Sequence, residues 1–217
     1  SSISKRTRAE LAQKGAITRL EVDSVHESRD GTRKIVWRTW DGHRIESVLI
    51  RDHDRKVPEV IAHKAAERPL KDRLTLCIST QVGCAMGCAF CLTGDLGLVR
   101  HLTPAEIACQ PQQVQETLPP HQRIGNVVLM GMGEPLHNID NVITALRIML
   151  DEDALNFSHR KITVSTAGLV PAMKKLALAL PVNIAVSLNA TTDEQRRLAM
   201  PIAKKYSLDE LMRCCRE

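Results

Sequence analysis

Three cysteines, Cys84, Cys88 and Cys91, stand at C-x3-C-x2-C spacing in a short loop just after a strand-like run from Leu74 to Ile78. Thiolates so close together face one soft metal centre, and thiolate ligation selects zinc, Cu(I) or iron–sulfur. A structural zinc takes four ligands, usually in two pairs. The chain has no second C-x2-C pair, so a zinc site needs a distant ligand such as His101. A [4Fe–4S] cubane held by three cysteines leaves one iron open to a small molecule. Gly83 and Gly87 let backbone fold tightly around a bulky centre, and Phe90, beside the last ligand, is placed to shield it from water. Three buried structural cysteines are the plain alternative.

The elements that must position this loop follow a simple pattern. From Leu74 the chain reads strand, loop, helix, four times over: Leu74–Ile78, Asn126–Met130, Lys161–Ser165 and Asn183–Leu188 are short apolar strands. The helix signals are Thr103-Pro104-Ala105-Glu106, Asp140 to Leu150, the stretch after Pro171, the run from Asp193 and a last helix capped by Ser207. Pro111 and Pro119-Pro120 predict that the first of these is short or kinked. Strands alternating with helices predict an α/β fold with a parallel sheet, an incomplete (βα) barrel of about four units. Ligands in such folds gather at the C-terminal ends of the strands. The chemistry-bearing motifs fall there: Cys84 to Cys91, Gly131-Met132-Gly133-Glu134-Pro135, Ser165, and Ser187-Leu188-Asn189-Ala190.

Upstream, Ser4 to Lys14 is a helix with Ser4 as N-cap and Gly15 as stop. Arg29-Asp30-Gly31 and Trp40-Asp41-Gly42 are turns between alternating strands Leu20–His26, Lys34–Thr39 and Arg44–Ile50, an antiparallel meander. Trp37 and Trp40 read as packing residues of that meander. In its third strand Glu46 shares a face with Val48, opposite Ile45 and Ser47. On these grounds alone Glu46 is a solvated carboxylate or a functional one. The stretch from Arg51 to Arg73 is crowded with charge, with Pro58 at the start of a short helix through Glu67, and reads as a solvated surface insertion. Three units follow: residues 1–50, the connector 51–73 and the core 74–217. Cys109 reads as structural, and the adjacent Cys214 and Cys215 are poor joint ligands because successive helical residues point in different directions.

Composition bounds the rest. Among 217 residues, 43% are hydrophobic and 25% charged, as in an ordinary globular protein. A net charge of +5 suits a polyanionic partner, while 2% aromatics leaves no evident row of base-stacking side chains. Seven cysteines, an odd number, argue against a disulfide framework, and no run approaches bilayer-spanning length. The chain therefore reads as cytoplasmic and not membrane-bound. Its first residue is Ser1 rather than methionine, so something upstream is expected to be missing.

C-x3-C-x2-C with an aromatic before the last cysteine resembles the signature of radical S-adenosylmethionine (SAM) enzymes. Cys77-x6-Cys84, followed by Gly131 to Pro135 and Ser187 to Ala190, is more specifically similar to the RlmN/Cfr family of RNA adenine methyltransferases. The resemblance implies a partial radical-SAM barrel in which Cys84, Cys88 and Cys91 hold a [4Fe–4S] cluster whose open iron chelates SAM. It implies that Gly133, Glu134, Ser165, Ser187, Leu188 and Asn189 surround SAM, with Glu134 near its ammonium. Taken singly, Ser165 and Asn189 would read as helix caps. In the family a methylated cysteine is activated by a 5′-deoxyadenosyl radical and adds to C2 of adenine. Glu46 then corresponds to the proton acceptor and Cys77 to the cysteine that resolves the protein–RNA intermediate. The implied partners are 23S rRNA, tRNA and an electron donor such as flavodoxin, with a monomeric enzyme. The expected departures are Asn189, where histidine is frequent, the longer connector, and no match to the methyl-carrying cysteine, so that the chain reads as a fragment. A C8-methylating enzyme and a zinc-stabilised RNA-binding domain are the alternatives.

Overall fold

The computed structural model describes residues 4–15, 17–52 and 73–217. Helix α1 (Lys5–Lys14) begins at Ser4, whose hydroxyl accepts the Thr7 N–H at 3.1 Å, and ends where the Gly15 N–H reaches the Leu11 carbonyl. Strands β1 (Glu21–Glu27), β2 (Arg33–Arg38) and β3 (Arg44–Asp52) follow as an antiparallel meander. The turns between them carry Gly31 at φ 75° and Gly42 at φ 84°, the left-handed conformation that glycine adopts at least cost. Residues 53–72 of the charged connector lie outside the described residues, and with them the helix expected through Glu67; the connector's ends, Arg51, Asp52 and Arg73, belong to strands.

The second half contains β4 (Arg73–Cys77), β5 (Gln81–Gly83), α2 (Leu92–Asp95), β6 (Leu98–His101), α3 (Pro104–Glu116), β7 (Ile124–Leu129), α4 (Ile139–Leu150), β8 (Ile162–Thr166), α5 (Val170–Ala179), β9 (Asn183–Val186), α6 (Asp193–Ala199) and α7 (Leu208–Arg216). Strands β4, β7, β8 and β9 are parallel, and β3 pairs antiparallel with β4, with Val48 opposite Cys77 and Arg51 opposite Leu74. The meander and the parallel strands thus form one seven-stranded sheet, ordered β1-β2-β3-β4-β7-β8-β9. Among the described residues it does not close, and β9 is an edge.

The two faces of the parallel strands differ. Leu74, Leu76, Val127, Leu129, Ile162 and Val164 are buried, joined in the core by Ile107 and Val114 of α3, Val142, Leu146 and Met149 of α4, and Met173 and Leu176 of α5. Each such side chain contributes roughly 1.5–3 kcal/mol by leaving water. The alternate residues Thr75, Cys77, Asn126, Val128, Thr163 and Ser165 are only half-buried. Register puts them on the opposite face, because paired residues project to the same side: Cys77 opposite Val128, Val128 opposite Thr163, Ser165 opposite Ala185. A doubly wound sheet buries both faces. Here helices cover one, and the other is a polar, half-open wall, as the inside of a partial barrel requires.

Three local expectations are corrected. The cysteine loop does not lead straight into α3, because β5 and β6 pair as a short hairpin around it. Helix α3 is not short: it runs 13 residues with Pro111 inside it, held by a capping box between Thr103 and Glu106 and by buried Ile107, Ala108 and Val114. Trp37 packs as expected, 1% exposed with its indole N–H donating to Ser47 Oγ at 2.9 Å. Trp40 does not: it lies in the β2–β3 turn beyond the covered part of the sheet and is 82% exposed.

Candidate cofactor site at the strand ends

The three-cysteine loop is held from both sides. On one, the Cys84 N–H donates to Gly97 O at 2.9 Å, which ties the loop to its hairpin; on the other, the Ala89 N–H donates to Ala199 O at 2.9 Å, at the end of α6. Within the loop the Cys91 N–H reaches Cys88 O and the Gly94 N–H reaches Cys91 O. Gly83 is at φ 74°, and a β-carbon there would lie 1.8 Å from Gly97 O. The tight turn expected of Gly83 is therefore a close approach of two backbone segments.

Cys84 is buried, while Cys88 and Cys91 are half-buried. Burial pushes the Cys84 and Cys88 thiols up. Charge on Cys91 and Glu134 pushes Cys84 further, and charge on Cys84, Cys91 and Glu134 pushes Cys88 further. The three cysteines share one loop, with Glu134 close enough for its charge to bear on Cys84 and Cys88. Among the described residues no three His, Cys, Asp or Glu side chains converge on a point for one ion. A cubane cluster spreads its thiolates wider than a single ion does, and three thiols without a fourth ligand fit it. His101, the candidate fourth ligand for zinc, is engaged elsewhere: its Nδ1 accepts Gln81 Nε2 at 2.9 Å, and its ring meets His137 edge-on with centroids 5.0 Å apart. Phe90 is 61% exposed, as are its neighbours Leu92 and Leu96 at 80% and 63%.

The turn after β7 is locked to this loop. The Gly131 N–H donates to Ile78 O at 3.0 Å, and a β-carbon at Gly133, which sits at φ 104°, would fall 2.6 Å from Gln81 Cβ. Gly133 thus makes room for Gln81, whose Oε1 accepts the Glu134 N–H at 2.7 Å. Glu134 itself is 4% exposed. Its carboxylate accepts the Leu136 N–H at 3.0 Å and the Ala167 N–H at 2.7 Å, which ties the turn to the end of β8. Burial raises its pKa, partly offset by these two N–H groups and the Thr166 hydroxyl. The Glu134 carbonyl accepts the His137 N–H at 3.1 Å.

Ser165 stands near the end of β8, half-buried on the open face. Beyond β9, the Ser187 N–H donates to Thr166 O, Leu188 is 39% exposed, and Asn189 adopts φ 57° with its Nδ2 3.3 Å from Met200 Sδ. Sequence reasoning missed Arg196. It is 0% exposed, donates Nη2 to Ala167 O at 2.6 Å and Nε to Leu188 O at 3.2 Å, and leaves Nη1 buried with no partner. Its charge also stabilises a Cys88 thiolate. An arginine next to Arg197 on a short polar helix reads as exposed, so no pattern signalled it. This orphaned buried donor among the strand-end turns is available to a water or to an anionic ligand.

Glu46 and Cys77 stand on the neighbouring strands β3 and β4. Val48 pairs with Cys77, and Glu46 shares the face of Val48, so both side chains project from the half-open face of neighbouring strands. Glu46 Oε1 accepts Lys34 Nζ at 3.1 Å, and Ser79 Oγ donates to the Glu46 carbonyl at 2.6 Å. Burial pushes the Cys77 thiol up to about 11, partly offset by the Met130 N–H. Of the remaining cysteines, Cys109 is buried in α3, Cys214 touches Val170 O and Cys215 is exposed; none joins the site.

Residues 78–217 match the family profile of the radical SAM superfamily. The chain is 51% identical over 218 residues to the dual-specificity RNA methyltransferase RlmN of Syntrophotalea carbinolica, covering all of this chain and 53% of that protein. It is also 51% identical to the RlmN of Pelobacter propionicus, covering all of this chain and 56% of the relative. A crystal structure of a radical SAM methyltransferase from Sphaerobacter thermophilus superposes with a TM-score of 0.81 at 38% identity, covering 99% of this chain and 59% of that one. The chain spans about half the length of the curated relatives it matches. Among the described residues no helix is long and apolar enough to cross a membrane.

Proposed function

The chain belongs to the radical SAM superfamily, and from that premise we propose that it acts as an RNA methyltransferase at C2 of adenosine. The observation that carries this reading is the shared face of Glu46 and Cys77 at the strand end from which the three-cysteine loop departs. A carboxylate and a thiol on one face of neighbouring strands, at the open end of the sheet, are placed to act together on one substrate.

In this reading Cys84, Cys88 and Cys91 hold the [4Fe–4S] cluster. Gly133, Glu134, Ser165, Ser187, Leu188 and Asn189 form the rim around SAM, with the unpartnered Arg196 Nη1 turned to an anionic group such as a carboxylate. Bound SAM and the reduced cluster supply the radical chemistry that activates a methyl group. The chain's own residues orient the adenine, exclude water and move protons. Glu46 takes the proton from adenine C2, and the Lys34 ammonium at 3.1 Å holds its carboxylate in place. The Cys77 sulfur, once deprotonated, bonds to the sulfur of the cysteine that carries the RNA adduct. That cysteine's C–S bond breaks, its electron pair passes to the departing carbon, and a proton completes the methyl group. Burial pushes the Cys77 thiol up to about 11, so a base must take its proton first. Glu134 contributes less through its carboxylate, which two backbone N–H groups already occupy, than through its place in the turn. The substrates are 23S rRNA and tRNA, in keeping with the dual-specificity naming of the relatives. The electron donor is of the flavodoxin kind, and the protein works as a monomer in the cytoplasm.

Deleting the gene that encodes this sequence should remove 2-methyladenosine from cellular 23S rRNA and tRNA, measured by nucleoside mass spectrometry. Complementation with the native gene should restore it, and Glu46→Gln should not. Loss of 8-methyladenosine instead would establish the C8 reading, and unchanged RNA would overturn both.

A further inference from the structure

Among the described residues, Trp40 is the large aromatic side chain that the fold turns furthest outward, and the structure builds a support beneath it. The Arg100 guanidinium lies over the ring, 5.7 Å from its centroid. That guanidinium cannot wander. Asp41 accepts its Nε at 2.6 Å and Nη2 at 2.9 Å, and Glu106 accepts Nη1 at 2.9 Å and Nη2 at 2.8 Å. The turn that carries the indole is closed as well: the Thr39 N–H donates to His43 O at 2.8 Å and the Gly42 N–H to Thr39 O at 2.9 Å. One ring face is backed by a fixed cation, and 82% of the residue is open to solvent.

Its position is informative. Because β3 runs antiparallel to β4, the residues before Arg44 lie beyond the C-terminal end of β4, on the side where the cofactor turns gather. Arg100 belongs to β6, whose partner β5 leads directly into Cys84. Trp40 therefore bridges the meander and the cysteine hairpin at the rim of the mouth. A flat indole open to solvent offers a stacking surface, and base–aromatic stacking tolerates any base. We propose that Trp40 is a stacking platform for an unpaired base of the RNA substrate, an inference that rests on the RNA methyltransferase reading. Arg44 lies two positions from Glu46 along the strand, about 7 Å, and the turn adds more. The stacked base is thus a neighbour of the reacting adenine and not that adenine.

The chain has two tryptophans, and Trp37 is buried, so Trp40 is the solvent-accessible emitter. Titration with an RNA hairpin whose loop contains unpaired adenines should quench the tryptophan emission. Trp40→Ala should weaken binding of the labelled hairpin, read by anisotropy, about five- to a hundredfold. Trp40→Phe should bind within about threefold of the native chain. Heparin, a polyanion without bases, should leave the emission unchanged. Hairpin binding with no quenching and full affinity in Trp40→Ala overturns this inference and leaves the enzymatic reading standing. Failure of the native chain to bind the hairpin at all counts against both.

Discussion

Single alanine substitutions at Cys84, Cys88 and Cys91 should each abolish the visible iron–sulfur absorption of the anaerobically reconstituted chain, whereas Cys215→Ala should retain it. The three thiols are the ones that share a loop. A cubane with three protein ligands has no spare cysteine to fall back on, so loss of one thiolate removes a third of the protein's hold on the cluster. Cys109 is sequestered in α3 and Cys214 sits against α5, too engaged to substitute. Cys215 is exposed on α7 and touches no part of the loop, which makes its removal the control for handling and oxidation. A full cluster surviving in all three variants would remove these residues from the metal site.

Gly83→Ala should be nearly as damaging without touching a ligand. Its β-carbon would sit 1.8 Å from Gly97 O, and that carbonyl is itself fixed by the Cys84 N–H at 2.9 Å. No side-chain rotation relieves a clash between two backbones. The hairpin must open, at a cost of about 3–5 kcal/mol, and Cys84 moves with it. Gly42→Ala provides the contrast. Gly42 has φ 84°, but nothing lies within 4 Å of where a β-carbon would stand, so only left-handed strain of about 1–2 kcal/mol applies. Urea unfolding should separate the two variants by at least about 1 kcal/mol. Cluster absorption should be lost in Gly83→Ala and kept in Gly42→Ala. Equal stability of the two would mean that the loop has room that its geometry denies.

The sequence made local features readable and left distant pairings hidden. Caps were plain: Ser4, Thr103 and Ser207 all accept the expected backbone N–H, because a hydroxyl at that position has one nearby orphan donor to satisfy. Alternation in β3 put Ile45 and Ser47 on one face and Glu46 and Val48 on the other, and the structure buries the first pair. What periodicity could not show was that β3 pairs with β4, a contact between distant stretches of chain that fuses meander and core and brings Glu46 beside Cys77. The hairpin of β5 and β6 was missed because its strands are three and four residues long and interrupted by glycine and a register shift. Trp40 was misplaced for the opposite reason: aromatic residues near strands usually pack, and only the cation held by Asp41 and Glu106 shows why this one stays out. Arg196 gave no signal, because its burial comes from turns contributed by two other strands.

The central claim is that three cysteines hold a cluster with one iron left for SAM, and the magnetic resonance spectrum of the reduced cluster tests it directly. Reduced under anaerobic conditions, the reconstituted chain should give an iron–sulfur electron paramagnetic resonance signal that SAM shifts, because a ligand binding the cysteine-free iron alters the cluster's electronic structure. A spectrum that is identical with and without SAM, or stoichiometric zinc in place of iron and sulfide, would contradict it.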